Sequence, residues 1–312
     1  MFVVAGEALM DVFTGATTPT GMALDARIGG SPLNVAFGLA RMGQPVAFLG
    51  GVSKGQLGER LADALRAEGV SLDALHRSDA PTTISLIGLD AHGVPEYAFY
   101  GEGAADRALP PEALERMPAD ARALHVGSYT MVVGKTAKTQ AALIERVRGR
   151  LLVSYDPNLR LNVEADVGVW RATLDWMLPR IDILKLSDED LHLLYPDVDP
   201  FSFATGCLEK GAGLVVLTRG GKGATAWHAH GSVEAAPVKV DVIDTVGAGD
   251  TFQAALLVRL EELGALSPRG VRALKTEALQ DAMGFAARAA AITCSRRGAD
   301  LPRRAELTPA HA

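Results

Sequence analysis

The chain has 312 residues, 48% of them of hydrophobic types, and a formal net charge of −6 with its lysines and arginines dispersed. That length and composition support a sizeable core in one large α/β domain or two small ones. They exclude the basic stripe that would track a phosphate backbone, so nucleic acid is not an expected partner. The two cysteines, Cys207 and Cys294, are far apart and outside any metal-ligand spacing, which argues against a disulfide framework and a zinc site and fits a reducing compartment.

The opening run MFVVAGEALMDVF is interrupted by Glu7 and Asp11 and reads as a strand rather than a signal peptide. No apolar run approaches the ~20 residues of a membrane span, so a cytoplasmic protein with no membrane partner is expected. Residues 11–28 follow with strand composition and turn signals at Gly15, Pro19 and Gly21, and with no helix. GGSPLNVAFGLARMG at 29–43 then opens an apolar helix, for which Ser31 reads as the N-cap and Pro32 as the first helical residue. Asn34 lies inside the first turn of that helix and needs a polar partner, which a hydroxyl-rich ligand would supply.

From there strand-like and helix-like runs alternate: AFLGGV then GQLGERLADALRAEG, ALHVGS then KTAKTQAALIERVRG, LLVSYDP then VGVWRATLDWML, and DILKLS then DEDLHLLYP. This alternation predicts βαβ units on a mostly parallel sheet, whose ligands gather at the carboxyl ends of the strands. Residues 82–101 break the pattern as 11–28 do, with a turn signal at His92-Gly93. Together the two stretches predict a small separate sheet that could cover the main domain and whose exposed face or edge would seek a partner subunit. Further strands run from Leu214 to Val240, where His228 and His230 lack a third ligand and read as the solvent face of a strand.

DTVGAGDTF at 244–252 precedes an apolar helix starting near Ala248. Free N–H groups and small side chains at such a start make a cradle for negative charge. Asp250 beside it reads either as a helix-start carboxylate or as a base for a hydroxyl nucleophile, and the string alone does not choose. RGGKGAT lacks the ending of a phosphate-binding P-loop, and no G-x-G-x-x-G follows the first strand, which disfavours P-loop and dinucleotide folds and, with them, a nicotinamide oxidoreductase.

GGSPLNVAFGLARMG and DTVGAGDTF resemble the two signature regions of the ribokinase-like (PfkB) carbohydrate kinases, in the expected order. The likeness extends over essentially the whole chain, through Gly6-Glu7, Asp11, DPNLR at 156–160, KLSDED at 185–190 and LTRGGKGA at 217–224. GGSPLNVA with DPNLR is most similar to fructokinases. The resemblance implies an α/β fold, a ribokinase-like three-layer sandwich with a central mostly parallel sheet, forming a single domain over 1–312. A small β lid would be built from 11–28 and 82–101, through which such kinases often form homodimers. The implied activity is transfer of the γ-phosphoryl group of Mg-ATP to a primary hydroxyl of a sugar, D-fructose first. The rivals are 2-keto-3-deoxygluconate or ribose as acceptor and, in another class, a catalytically silent nucleotide or sugar sensor.

Carried over by residue, the resemblance makes Asp250 the catalytic base and Gly247, Ala248 and Gly249 the cradle for the transferring phosphoryl group. Asp11, Gly29, Gly30, Asn34 and Arg160 would hold the sugar, with Tyr97, Phe99, Tyr100 and Arg107 near the specificity pocket. Lys185, Ser187, Thr218, Gly220, Gly223 and Gly249 would meet ATP. Asp244, Val246 and Gly298 lie where many relatives bind a monovalent cation such as K+. The chain departs from the family where an N-x-x-E motif is usual: it has Ser187-Asp188-Glu189-Asp190, so that Asp190 or Glu189 would organise Mg2+ through water.

Overall fold

A computed structural model of the chain describes residues 1–89 and 95–307, so the His92-Gly93 turn and the side chain of Tyr97 lie outside the described residues. In chain order the strands are β1 (Phe2–Ala5), β2 (Leu9–Thr18), β3 (Gly21–Gly29), β4 (Val46–Leu49), β5 (Gly51–Ser53), β6 (His76–Ser78), β7 (Ile84–Leu89), β8 (Pro95–Tyr100), β9 (Ala123–Gly127), β10 (Leu152–Asp156), β11 (Ile183–Ser187), β12 (Leu214–Thr218), β13 (Ala224–His228) and β14 (Gly231–Ala235). The helices are α1 (Ser31–Arg41), α2 (Gln56–Ala67), α3 (Gly134–Val147), α4 (Val167–Met177), α5 (Asp188–Leu194), α6 (Pro200–Glu209), α7 (Ala248–Glu262), α8 (Pro268–Arg272) and α9 (Thr276–Cys294).

Strands buried on both faces have no polar side to show, and the central sheet is made of such runs except at its β14 edge, where exposed and buried residues alternate. Its order is β14-β13-β12-β11-β10-β9-β1-β4, parallel from β12 to β4 and antiparallel at the β13 and β14 edge. Alternate residues feed opposite layers: Phe2 and Val4 of β1 pack with Leu33, Leu61, Leu256 and Met283 of α1, α2, α7 and α9. Val3 and Ala5 pack with Leu143, Trp170, Leu191 and Phe203 of α3 to α6. Each such side chain removed from water contributes about 1.5–3 kcal/mol, so the two layers carry most of the stability. The mostly parallel sheet expected from the alternation and the three-layer α/β sandwich that the resemblance implies are the architecture observed.

Strand order reverses beside β1: β4 lies on one side of it, and β9 to β12 run away on the other. Crevices at such reversals collect ligands at the carboxyl ends of the strands. Above this point sits a second sheet, β3-β2-β7-β8, drawn from two separated stretches of the chain. Met22 and Leu24 of β3 remain exposed on it. Buried carboxylates tie this sheet to the main one. Asp106, just after β8, accepts hydrogen bonds from Thr83 Oγ1 before β7 (2.6 Å) and from the Tyr129 hydroxyl after β9 (2.5 Å). Glu7, just after β1, accepts from Thr130 Oγ1 (3.0 Å) across the reversal point. Burial pushes the Glu7 carboxyl up to about 7, against the pull of hydroxyl and amide donors around it.

Two local expectations change, and one helix was not foreseen. Ser31 is the first residue of α1 rather than its N-cap; Gly30 holds that position and Ser31 makes no capping bond. His228 is buried rather than solvent-facing, and its ring meets that of His230 edge-on at 5.4 Å. Helix α9 is not singled out by hydrophobic periodicity, because its many alanines favour helix while giving little contrast between faces.

Helices α1 and α7 approach closely through a glycine. A Cβ on Gly38 would stand 2.7 Å from Ala254 Cβ and 2.7 Å from Leu301 Cδ2. Overpacking of this kind costs about 1–3 kcal/mol and outweighs the roughly 1 kcal/mol gained in helix propensity on leaving glycine. Gly38→Val is therefore expected to lower the thermal midpoint by several degrees, measured by calorimetry, and to weaken activity by spreading α1 from α7. A second expectation concerns Glu7. Its folded-state value lies above the ordinary glutamate value of about 4.5, so between the two the folded state holds a proton that the unfolded chain has released. Stability from this group therefore falls as pH rises from about 4.5 to about 7 and is level above. The thermal midpoint of Glu7→Gln should gain on that of the wild type as pH is raised from about 5 to about 8; a constant difference would assign the burial cost elsewhere.

Candidate active site

Helix α7 begins at Ala248 because Gly247 turns the chain through a left-handed conformation, φ +77°, where a Cβ would also stand 2.7 Å from that of Ala299. The first-turn N–H groups have no partners within the helix, although Ala248 N–H closes a turn on the Thr245 carbonyl at 3.2 Å. Asp250 lies in this first turn, buried, and does not cap the helix. Its carboxylate points to α1 instead: Ser31 Oγ donates to Oδ1 at 2.6 Å and Asn34 Nδ2 to Oδ2 at 2.8 Å. The partner that Asn34 needs is thus supplied, in this state, by the acid of the second glycine element.

Around this contact the residues of the expected sugar side converge. Gly30, φ +112°, brings the chain against the Glu7 carbonyl, 2.7 Å from where a Cβ would stand. Gly29 leaves room for Asp11, whose carboxylate occupies the space a side chain there would fill. Burial raises the Asp11 carboxyl from its ordinary value, while a Ser85 hydrogen bond and the Arg160 guanidinium pull it down and Asp250 pushes it up. Asp11, Arg160 and Asp250 are therefore electrostatic neighbours. Arg160 is placed by the DPNLR turn, where Asn158 takes φ +39°, a conformation asparagine tolerates. Its guanidinium donates to the Leu159 carbonyl at 2.8 Å. Arg107, after β8, lies over the Tyr129 ring at 5.2 Å.

On the opposite side of Asp250, Lys185 rises from β11 with Nζ 2.6 Å from Asp156 Oδ2 and 3.0 Å from where a Cβ on Gly249 would be. The pair is buried. Burial disfavours the Lys185 ammonium, but Asp156, Asp250 and Asp190 more than offset it and keep the ammonium charged. Burial pushes the Asp156 carboxyl up to about 6 against the pull of Lys185, so the two form an ion pair at neutral pH. Thr218 ends β12 beside Ser187 of β11, and Gly220 and Gly223 shape the loop that follows.

Of the two acids expected near Mg2+, Asp190 has other partners. Ser187 and Asp190 form a reciprocal capping box at the start of α5, with Asp190 N–H donating to Ser187 Oγ at 3.0 Å and Ser187 N–H to Asp190 Oδ2 at 3.3 Å, and Asp190 Oδ2 also accepts from Ser187 Oγ at 2.8 Å. Asp190 Oδ1 accepts from Leu159 N–H at 2.9 Å, which ties the DPNLR turn to α5. Both oxygens of Asp190 thus serve the turn, and Glu189 is exposed. Among the described residues no group of three or more His, Cys, Asp or Glu side chains is arranged to hold a metal ion. Asp244 accepts from the N–H groups of Val246 (3.1 Å) and Gly298 (2.8 Å), so these three residues are together.

Sequence reasoning missed three participants. Ser31 carried a capping signal that masked its contact with Asp250. Asp156 was visible as the acid at the end of a strand in DPNLR, but its partner lies 29 residues away on the neighbouring strand. Glu7 gave no signal beyond an acid inside an apolar run.

The model of the pfkB family carbohydrate kinases matches residues 2–305. The chain is 34% identical over 308 residues to a fructokinase of Rhizobium leguminosarum bv. trifolii, covering 99% of this chain and 92% of that protein. The crystal structure of fructokinase with bound ATP from Xylella fastidiosa is similar, with a TM-score of 0.84 and 25% identity over 98% of this chain and 96% of that one. A double mutant of fructokinase from Vibrio cholerae O395, in a form with fructose, ADP and potassium ion bound, has a TM-score of 0.83 and 26% identity, again over 98% of this chain and 96% of that one. Among the described residues no helix is long and apolar enough to cross a membrane. With fold, motif order and matched length in agreement, the chain belongs to the pfkB family of carbohydrate kinases.

Proposed function

We propose that the chain is an ATP-dependent fructokinase that phosphorylates a primary hydroxyl of D-fructose. The observation that carries this reading is the carboxylate of Asp250, buried at the first turn of α7 and held by Ser31 and Asn34 of the other glycine element. Similarity to fructokinases, one with ATP and one with fructose and ADP, supports the choice of substrates.

In this reading Asp11, Asn34 and Arg160 hold the sugar hydroxyls, with Gly29 and Gly30 letting the ring approach the backbone. A carboxylate accepts, an amide does both, and a guanidinium donates, so the set can orient a polyol. Asp250 takes the proton from the attacking hydroxyl. The N–H groups of Ala248 and Gly249 at the positive end of α7, with Gly247 as its turn, receive the γ-phosphoryl group as charge moves. Lys185, beside Gly249, balances that charge, and Asp156 keeps the ammonium in place. Catalysis then rests on in-line positioning and charge stabilisation. Ser187, Thr218, Gly220 and Gly223 line the nucleotide side.

Mg2+ would arrive with ATP and draw charge from its phosphates, a role that needs few protein carboxylates. With both Asp190 oxygens accepting from Ser187 and Leu159, contact with that ion would run through water. Asp244, Val246 and Gly298 would support a K+ site near the cradle. The β3-β2-β7-β8 sheet would act as a lid that excludes water, and exposed Met22 and Leu24 support pairing of two lids in a homodimer. A cytoplasmic setting agrees with two free cysteines.

A coupled ADP-release assay across fructose, ribose, glucose, 2-keto-3-deoxygluconate and a nucleoside tests the substrate. Fructose should give the highest kcat/KM, and a clear preference for another acceptor would overturn the assignment. Asp250→Asn should lose at least ~10² in kcat while still binding ATP, and undiminished turnover would remove the base role. Omitting potassium should lower the rate; an unchanged rate would retire the cation site.

A further inference from the structure

We infer that Ser31 is a positioning residue for the base: its hydroxyl holds the Asp250 carboxylate on the sugar side of the cleft while Asn34 shares its donors with the substrate. The inference rests on the reading of Asp250 as the base.

A serine at a helix start ordinarily caps its own helix. Ser31 does not; it is buried, and its Oγ donates to Asp250 Oδ1 at 2.6 Å, the shorter of the two bonds on that carboxylate. The hydroxyl is delivered by rigid parts. Pro32 fixes the next φ, and it is wedged so closely against Gly6 that a Cβ there would stand 2.3 Å from Pro32 Cγ. The strand-to-lid connection after β1 therefore sets where Ser31 stands. Four residues beyond Asn34 and Asp250, Gly38 meets Ala254 without room for a side chain, which holds the two helices at the spacing the hydroxyl must span.

The carboxylate has somewhere else to go. Lys185 is an electrostatic neighbour of Asp250, and its ammonium lies beside Gly249 in the same helical turn. An acid released from α1 would be drawn toward that charge, onto the phosphate side of the cleft, where it could neither reach the sugar hydroxyl nor leave Lys185 free for the phosphoryl group. Two donors oppose this, Asn34 and Ser31. Asn34 is also the amide assigned to the sugar, so when substrate binds its donors are shared. Ser31 has no such competing duty. With one donor on each carboxylate oxygen, each oxygen keeps a second acceptor position for the incoming hydroxyl.

The test is a kinetic comparison of Ser31→Ala and Ser31→Thr with the wild type and Asp250→Asn. Ser31→Ala should lower kcat about tenfold, since misplacing a reacting group by an ångström can cost ~10², with KM for ATP within about twofold of wild type and the thermal midpoint little changed. Ser31→Thr keeps the hydroxyl and should recover most of kcat; if it fails to fold, the kcat-against-KM pattern of Ser31→Ala still decides. A Ser31→Ala kcat equal to wild type overturns the inference, as does a loss confined to the sugar KM, which would make Ser31 a sugar contact. A fall in kcat that tracks a lowered thermal midpoint would make it structural and overturn the inference too. If Asp250→Asn is fully active, the base reading itself fails; if that variant is inactive and Ser31→Ala is normal, only the positioning role fails.

Discussion

A carboxylate buried between two helix starts must be held by donors, and around Asp250 those donors come from a helix more than 200 residues away in the chain. Leaving such a group without partners would cost several kcal/mol. The contact therefore fixes the relation of α1 to α7, and much of the rest follows from it. Gly38 and Ala254 set the helix spacing, Gly247 and Ala299 aim the first turn, and Gly30 brings the sugar-side backbone against Glu7. A side chain at Gly38 would push α1 from α7, and one at Gly30 or Gly247 would strike Glu7 or Ala299 beside the two glycine elements.

The two sides of the cleft are separated by charge. Asp11 and Arg160 lie with Asn34 on one side, and the buried Lys185 and Asp156 pair lies on the other beside Gly249. Asp250 feels both groups, as its influence on Asp11, Asp156 and Lys185 shows. A base between acceptor and donor substrates has to stay free of an ion pair with either charged flank so that it can accept the attacking hydroxyl, and hydrogen bonds to α1 hold it there without a neutralising cation. Asp156, for its part, keeps Lys185 charged in a site where burial alone would strip the proton.

The capping box at α5 shows how a departure from a family pattern can be absorbed. Ser187 and Asp190 satisfy each other and the Leu159 amide, and thereby hold the DPNLR turn that carries Arg160. A shorter acid suits this local task, because its two oxygens meet three nearby donors, two from Ser187 and one from Leu159. The buried bonds of Asp106 and Glu7 play a similar part at the base of the second sheet, where they join elements that enter and leave it.

The amino-acid sequence by itself determined the alternation of strands and helices, the two glycine elements and the stretches that form the second sheet. These features are local, written as hydrophobic period and turn chemistry within a few residues. It also placed Asp250 in the first turn of an apolar helix, though it left that acid poised between cap and catalyst, and Lys185, which reads as the end of a strand in ILKL, stands in the middle of β11. Tertiary structure alone decided that Ser31 serves Asp250 and not its own helix, that Lys185 pairs with Asp156, and that His228 is buried. Those outcomes depend on which strands become neighbours and how closely α1 meets α7. Contacts of that kind join residues distant in sequence, and no local pattern of residue types encodes their partners.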